Sequence, residues 1–148
     1  MVRGADELGL APDHKAQLMV HDPDSWSGMT LAERDIKLIV LNSSHSRARQ
    51  CATLMHELAH IMLDHAPASA VASGSGLVLL SDYSDDQENE ADWLGAALLL
   101  PEAALLLHRG AGRTPAEIAR MFGVSLDLCN WRCRTTGVER RLANRRSN

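Results

Sequence analysis

The chain has 148 residues, of which 45% are apolar, so it can bury the core of one compact domain. The net charge of −4 is uneven: residues 1–108 carry six Lys and Arg against sixteen Asp and Glu, whereas residues 109–148 carry nine Arg against three acids. No apolar run approaches the roughly 18 residues of a membrane span, and no signal-peptide pattern is present. Three cysteines at irregular spacing do not suggest a disulfide framework, so we expect a cytoplasmic protein.

The first half of the chain contains one clear strand and one clear helix. Residues 1–20 show a short, interrupted helical pattern, and the turn-rich residues 21–30 are typical of a loop. Alternating and continuous apolar residues predict a buried strand over residues 35–42. Residues 47–64 have apolar positions at helical spacing, and Ser46 offers a cap for the helix that they predict.

The second half is mainly helical. A short apolar run at residues 77–80 indicates a strand, and residues 86–99 predict a helix that stops before Pro101. Residues 115–122 and 125–134 predict two short helices after a break rich in glycine. The last dozen residues are polar and rich in arginine, so we expect them to be frayed.

A metal site is predicted on the helix over residues 47–64. His56 and His60 are four residues apart, which places both imidazoles on one helix face, one turn apart, where they can bind one Zn²⁺. Glu57 is offset from that face but can reach a water molecule on the zinc. A carboxylate at this place can act as the general base when the water attacks a carbonyl group.

A zinc site of this type needs a third protein ligand, and the next acidic cluster offers two. Glu88 and Asp92 share one face of the following helix, so Glu88 can complete a His-His-Glu set while Asp92 accepts the free ring N–H of a zinc histidine. Glu90 is the competing ligand, although it points about 200° away from Glu88 on a regular helix. The alternative explanation for these acids is the preference of a helix N-terminus for negative charge.

These motifs together resemble the ImmA/IrrE family of metallopeptidases. The resemblance spans roughly residues 30–135, and residues 1–30 match only loosely. It departs from the usual pattern at residues 93–95 and at Leu100, where apolar character is kept. The residues that carry it are Arg47, Thr53, His56-Glu57-Leu58-Ala59-His60, Glu88, Ala91-Asp92, Ala96, Leu99-Leu100-Pro101 and Ile118 to Ser125.

The resemblance implies a single α+β metallopeptidase domain over residues 1–148. Its expected fold is a small thermolysin-like zincin core, with a short antiparallel sheet packed on the zinc-binding helix and a helical C-terminal segment. Carried over by position, the zinc ligands are His56, His60 and Glu88, which is the gluzincin type, and Glu57 is the general base. Many members are encoded by phages or mobile elements and cleave a helix-turn-helix repressor, which relieves repression.

Several weaker signals remain. Residues 113–136 have the pattern of a helix-turn-helix, which together with the Arg-rich end suggests DNA binding, but we favour a helical hairpin that packs on the peptidase core. Cys129 and Cys133 lack a second pair of ligands and are interpreted as thiols on one helix face. His65 and Tyr83 are weak candidates for stabilising the transition state.

The sequence therefore predicts a zinc-dependent endopeptidase that binds one Zn²⁺ and cleaves a protein, by resemblance a helix-turn-helix repressor. An extended substrate would lie along an edge strand beside the zinc helix. The alternative is a non-catalytic regulatory or anti-repressor module that binds a repressor or DNA and uses zinc only for its fold. A structural zinc site is closed, whereas a catalytic one keeps an open position.

Overall fold

The chain folds into a sheet packed against helices, and a computed structural model describes it over residues 1–9, 11–33, 36–67, 69–72 and 78–146. Across the sheet the strand order is β1-β3-β2-β5-β4, and only the pair β1 and β3 is parallel. In chain order the strands are β1 (Val2–Gly4), β2 (Gly28–Glu33), β3 (Ile36–Leu41), β4 (Ser69–Ala72) and β5 (Val78–Ser81). The predicted α+β class is confirmed, and within the described residues β1 and β4 are the edge strands.

Seven α-helices form in the described part of the chain, most of them after the sheet. The first is continued by a π-helical turn, Gln17–His21. The helices are α1 (Pro12–Ala16), α2 (Arg47–Met62), α3 (Asp85–Leu99), α4 (Glu102–Gly110), α5 (Pro115–Phe122), α6 (Leu126–Thr136) and α7 (Val138–Arg146). The predicted cap of α2 is confirmed, because the Ser46 hydroxyl accepts a hydrogen bond from the backbone N–H of Arg49.

The sheet is larger than the sequence predicts. β2 begins inside residues 21–30, whose composition favours a loop, because the turn residues occupy only the first part of that segment. β1 and β4 have three and four residues, too few to show an alternating pattern. The predicted strands over 35–42 and 77–80 are observed as β3 and β5, while Asp35 and Leu77 lie outside the described residues.

Helices α2 and α3 lie side by side, and Gly95 sets how closely they approach. A Cβ atom at Gly95 would be 3.1 Å from the backbone nitrogen of His56 and 3.1 Å from the carbonyl carbon and oxygen of Met55. Such contacts are with main-chain atoms of α2, which cannot rotate away as a side chain could. Glycine at this place therefore lets the two helices that carry the predicted ligands pack with their backbones nearly in contact.

The C-terminal helices pack around an apolar group that we call the helical cluster, formed by Leu100, Leu105, Ile118, Ala119, Val124, Cys129, Cys133 and Val138. α7 belongs to this region although its sequence suggested fraying. Val138 anchors it in the cluster, and ion pairs of Arg109 with Glu139 and of Arg141 with Glu102 join it to α4. Salt bridges between polar residues are visible in a fold but not in the composition of a segment.

Arg132 connects α6 to the end of α3. Its side chain is only 2% exposed, and its Nε donates a hydrogen bond of 3.2 Å to the carbonyl oxygen of Leu100. The guanidinium carbon lies 5.3 Å from the ring centroid of Trp93, a cation–π arrangement. Burial lowers the pKa of Arg132 below its ordinary value. This residue thus holds α6 against α3.

Across the residues that the structure describes, no single helix has the length and apolar character required to cross a bilayer. The consecutive helices α3 and α4 would reach that length only as a pair bent by 49°.

Candidate metal centre

Helix α2 presents His56 and His60 on one face, as their four-residue spacing predicts. Their Nε2 atoms are 3.0 Å apart, and the rings meet edge to face with centroids 4.7 Å apart. His60 is buried, whereas His56 is partly exposed. The two nitrogens therefore converge on one point between the helix and solvent.

Glu88, on the first turn of α3, completes a triad with these histidines. Its Oε2 is 3.2 Å from Nε2 of His56 and 3.7 Å from Nε2 of His60. Four tetrahedral ligands at the usual zinc distances lie about 3.3 Å from each other, and the three observed separations bracket that value. Within the described ranges no other group of His, Cys, Asp and Glu side chains brings three ligand atoms so close together. The donor set and its spacing fit one zinc ion.

The outer nitrogen of His56 is bound by Asp92, one turn further along α3. Its Nδ1 is 2.9 Å from Oδ1 of the carboxylate. Because a carboxylate only accepts hydrogen bonds, the imidazole proton lies on Nδ1, and Nε2 directs a lone pair at the triad. This is the role that the sequence suggests for Asp92.

The outer nitrogen of His60 meets a different partner, His65, which in turn meets Glu90. Nδ1 of His60 is 3.0 Å from Nδ1 of His65, and Nε2 of His65 is 3.1 Å from Oε2 of Glu90. In the tautomer in which Nε2 of His65 donates to Glu90 and its Nδ1 accepts, His60 carries its own proton on Nδ1. The Nε2 lone pair of His60 is then also directed at the triad.

Two lone pairs and a carboxylate thus point at one another, an arrangement that a cation stabilises. Burial is the main reason why the pKa of His60 falls from 6.5 to about 4, and the neighbouring His56 and His65 lower it further. His60 is therefore neutral at physiological pH, which is the form that binds a metal.

Glu57 lies beside the triad, and a residue of the sheet holds its side chain by a hydrogen bond. The buried hydroxyl of Thr30, on β2, donates a hydrogen bond of 2.6 Å to Oε2 of Glu57. The other carboxylate oxygen remains for a reacting group. The central strand of the sheet thus fixes the direction of a side chain on α2.

Tyr83 covers the other side of His60. The two rings stack, with centroids 3.8 Å apart and an angle of 25° between their planes. Burial raises the pKa of the Tyr83 phenol, as do the nearby Glu57 and Glu88, so the hydroxyl stays protonated and can donate. Asp82, just before it, has a φ of 59°, a left-handed conformation that helps turn the chain from β5 toward α3.

Two cavities open on the triad and share Gly28, His56 and Glu57. The first, about 320 Å³, extends along β5 and also contains His60, Tyr83 and Glu88. The second, about 350 Å³, lies on the opposite side and reaches Asp92 and the start of α2. The residues that they share place both cavities at the candidate metal centre.

The structure brings the predicted ligands, the predicted base and Asp92 into one site. Glu90, the competing ligand, binds His65 instead, and His65 lies on the outer side of His60. Sequence reasoning did not identify Thr30, because it falls in a segment of turn-like composition. It also gave His65 and Glu90 separate roles, since only the fold pairs two residues that are 25 positions apart.

Comparison with known families gives one match. Residues 13–134 match the model of a peptidase family, Peptidase M78, which is described as the IrrE N-terminal-like domain. This match covers most of the chain and confirms the resemblance seen in the sequence. The comparisons with curated proteins and with solved structures found no match.

Proposed function

Because the chain belongs to the family of IrrE N-terminal-like peptidases, we propose that it is a zinc-dependent endopeptidase. The observation that carries the proposal is the convergence of His56, His60 and Glu88, with ligand atoms all within 4.8 Å of one another. The family indicates a peptidase with a protein substrate. The identity of the metal and the roles of the individual residues are our proposal.

In this mechanism His56, His60 and Glu88 would hold the zinc ion, which when bound would polarise the scissile carbonyl group and acidify a water molecule. Glu57 takes a proton from that water as it attacks the carbonyl carbon, and then gives the proton to the nitrogen of the leaving amine. The hydrogen bond from Thr30 occupies one carboxylate oxygen and keeps the other directed at the water.

Two further features of the fold support the proposal. The phenol of Tyr83, which lines the same cavity as Glu57, is the candidate donor to the oxyanion that develops on the substrate. β5 is paired on both sides, so β4 is the edge strand at which an extended substrate could add main-chain hydrogen bonds. His65 is better placed to orient His60 than to meet the oxyanion, because it contacts the outer nitrogen of that ring.

A triad of three protein ligands in the described part of the chain favours catalysis over a purely structural zinc. Among the described residues no fourth side chain joins the triad, and Glu90 is held by His65. A structural site would have a protein ligand there. Cys129 and Cys133, which could have supplied one, are buried in the helical cluster.

We further propose that the substrate is a helix-turn-helix repressor and that the protein acts in the cytoplasm, relieving repression in a phage or mobile element. The substrate rests on the family resemblance. The compartment is supported by the three free cysteines, of which two are buried as thiols.

The substitution Glu57→Gln tests the mechanism. The variant should bind one zinc like the wild type, because the ligands are unchanged, while cleavage of a randomised peptide library falls by about 10²- to 10⁴-fold. Zinc content is measured by atomic absorption and cleavage by mass spectrometry. Asp86→Asn, an exposed acid near the start of α3, is the matched control and should cleave normally. Undiminished cleavage by Glu57→Gln would remove the general base from the mechanism.

A further inference from the structure

A third cavity lies between α3 and α6, and it is the largest of the cavities described here, with a volume of about 530 Å³. We call it the tryptophan groove. Its apolar wall is formed by Trp93, Ala96, Leu128 and Trp131, and its polar groups are Asn89, Asp92, Asp127 and Arg134. A concave site of this size with an apolar wall and a few polar groups is typical of ligand binding.

Aromatic residues are concentrated in this groove. The chain has only three Trp, one Tyr and one Phe, and two of the three Trp line the groove. Trp93 is 50% exposed, although burial would normally be favourable for so large an apolar surface. Exposed tryptophans in pockets are the residues that most often dominate binding energy.

The groove is held in a fixed shape before any ligand binds. Trp93 and Trp131 meet edge to face, with ring centroids 6.2 Å apart. Buried Arg132 lies against Trp93 and is tied to the backbone of Leu100. A preformed aromatic wall costs less conformational entropy on binding than one that must be assembled.

Asp92 connects the groove with the candidate metal centre. Asp92 lines both the groove and the cavity that contains His56 and Glu57. Trp93 and Ala96 follow Glu88 on the same helix by a distance of about 8 to 12 Å along its axis. An extended peptide spans that axial distance in about two to four residues, and the rotation of Trp93 by about 140° around the helix from Glu88 lengthens the path further.

We propose that the tryptophan groove binds a large apolar side chain, aliphatic or aromatic, of the peptide substrate, at least two residues from the scissile bond. Asn89 and Arg134 can contact the main chain of the same segment, since Arg134 has no ionic partner in the described part of the chain. This inference rests on the proposed peptidase function and adds to it a determinant of which peptide bonds are cut.

The test separates binding from cleavage. A randomised peptide library displayed on phage is selected against the zinc-loaded Glu57→Gln protein, which should bind substrates without cutting them. We expect enrichment of a large apolar residue at one position. Trp131→Ala, added to that protein, should lower the affinity for the selected peptides about tenfold. Trp131→Phe should retain most of the affinity, and circular dichroism shows whether each variant is folded.

Leu126→Ala is the matched control, because Leu126 lies on the same helix, is 48% exposed and does not line the groove. It should bind the selected peptides as well as its parent does. In the active protein, Trp131→Ala should raise KM about tenfold for peptides with the apolar residue and leave kcat unchanged.

Selection without an apolar preference, or a preference that Trp131→Ala leaves intact, would overturn the groove as a substrate site. So would a wild-type dimer that Trp131→Ala converts to monomer, because the groove would then be covered by a second copy of the chain. Peptides that bind through the groove but are never cut by the wild-type protein would instead overturn the peptidase proposal and leave the groove in place.

Discussion

The sheet with α2 and α3 carries the candidate metal triad, and we call it the metal-binding half of the molecule. This half and the helical cluster are buried in different ways. Around the triad the buried residues include polar side chains, such as Thr30 and His60, and small residues such as Ala59 and Ala91. The helical cluster is built from Leu, Ile and Val with two thiols.

This difference indicates that the two parts contribute differently to the site and to stability. The residues that would perform chemistry are held by hydrogen bonds of defined direction, as between Thr30 and Glu57, and by the approach of helix backbones at Gly95. The apolar helices contribute area that is removed from water, without direction. We therefore expect substitutions in the cluster to change the free energy of unfolding, and those in the metal-binding half to change metal affinity.

The largest expected effect is in the cluster. Leu105→Ala removes a side chain that is 0% exposed and should lower the free energy of unfolding by about 2–5 kcal/mol, because it removes buried methyl groups and leaves a cavity. Urea denaturation followed by circular dichroism measures the loss. Leu107→Ala on the same helix is the control, since Leu107 is 68% exposed and its loss should cost less than about 0.5 kcal/mol.

The comparison would break if Leu105→Ala weakened zinc binding by the folded protein as strongly as it lowers stability. The two halves would then act as one unit.

A smaller effect is expected in the metal-binding half. His65→Gln removes the imidazole that accepts the Nδ1 proton of His60, so zinc affinity should fall about 10- to 100-fold while the unfolding free energy changes little. Competition with a chromophoric chelator gives the affinity. Glu90→Gln should act in the same direction, because it weakens the hold on His65.

The exposed His21, in the π-helical turn, supplies a matched control, and His21→Gln should bind zinc normally. If His65→Gln bound zinc as tightly as the wild type, His60 would not depend on this chain of hydrogen bonds.

The last expected effect is a change of stability with pH, and His60 in one half and Cys129 in the other should respond at opposite ends of the scale. The pKa of His60 falls to about 4 on folding, so in the metal-free protein the unfolded chain binds a proton first, and stability is lost as the pH drops from 6.5 toward 4. Burial raises the pKa of Cys129 to about 11, so the unfolded thiol ionises first, and stability is lost as the pH rises from 9 toward 11.

Urea denaturation in the presence of a chelator, repeated across this pH range, measures both effects. His60→Gln should flatten the acid side only, and Cys129→Ala the alkaline side only, whatever either does to stability at neutral pH. A change of the opposite limb by either variant would contradict the assignment.

Local spacing explains why the triad could be predicted. His56 and His60 are one turn apart on a long amphipathic helix, and Glu88 stands at the start of the next. Such ligands are set by helix periodicity, which the sequence carries directly. The turn-rich residues 21–30 offered no such signal, so Thr30 and β2 were not predicted.

Tertiary contacts account for the remaining differences. The sequence shows only Val138, Leu142 and Ala143 as apolar positions among the arginines of α7. Its docking is visible only in the fold, where Val138 is buried and salt bridges join α7 to α4. The tryptophan groove likewise joins two helices whose residues are more than thirty positions apart. Periodicity within one element does not predict contacts between elements.

The close packing at Gly95 affects how a mutational screen of this protein would be interpreted. In a saturation screen scored by peptide cleavage, bulky substitutions at Gly95 would push α3 away from α2 and move Glu88 off the two histidines. The screen would then score Gly95 as being as essential as the proposed metal ligands, although glycine has no side chain that could bind metal or substrate. Zinc content read together with expression level would separate the two kinds of position, because Gly95 variants fail through the distance between helices and ligand variants fail through missing donor atoms.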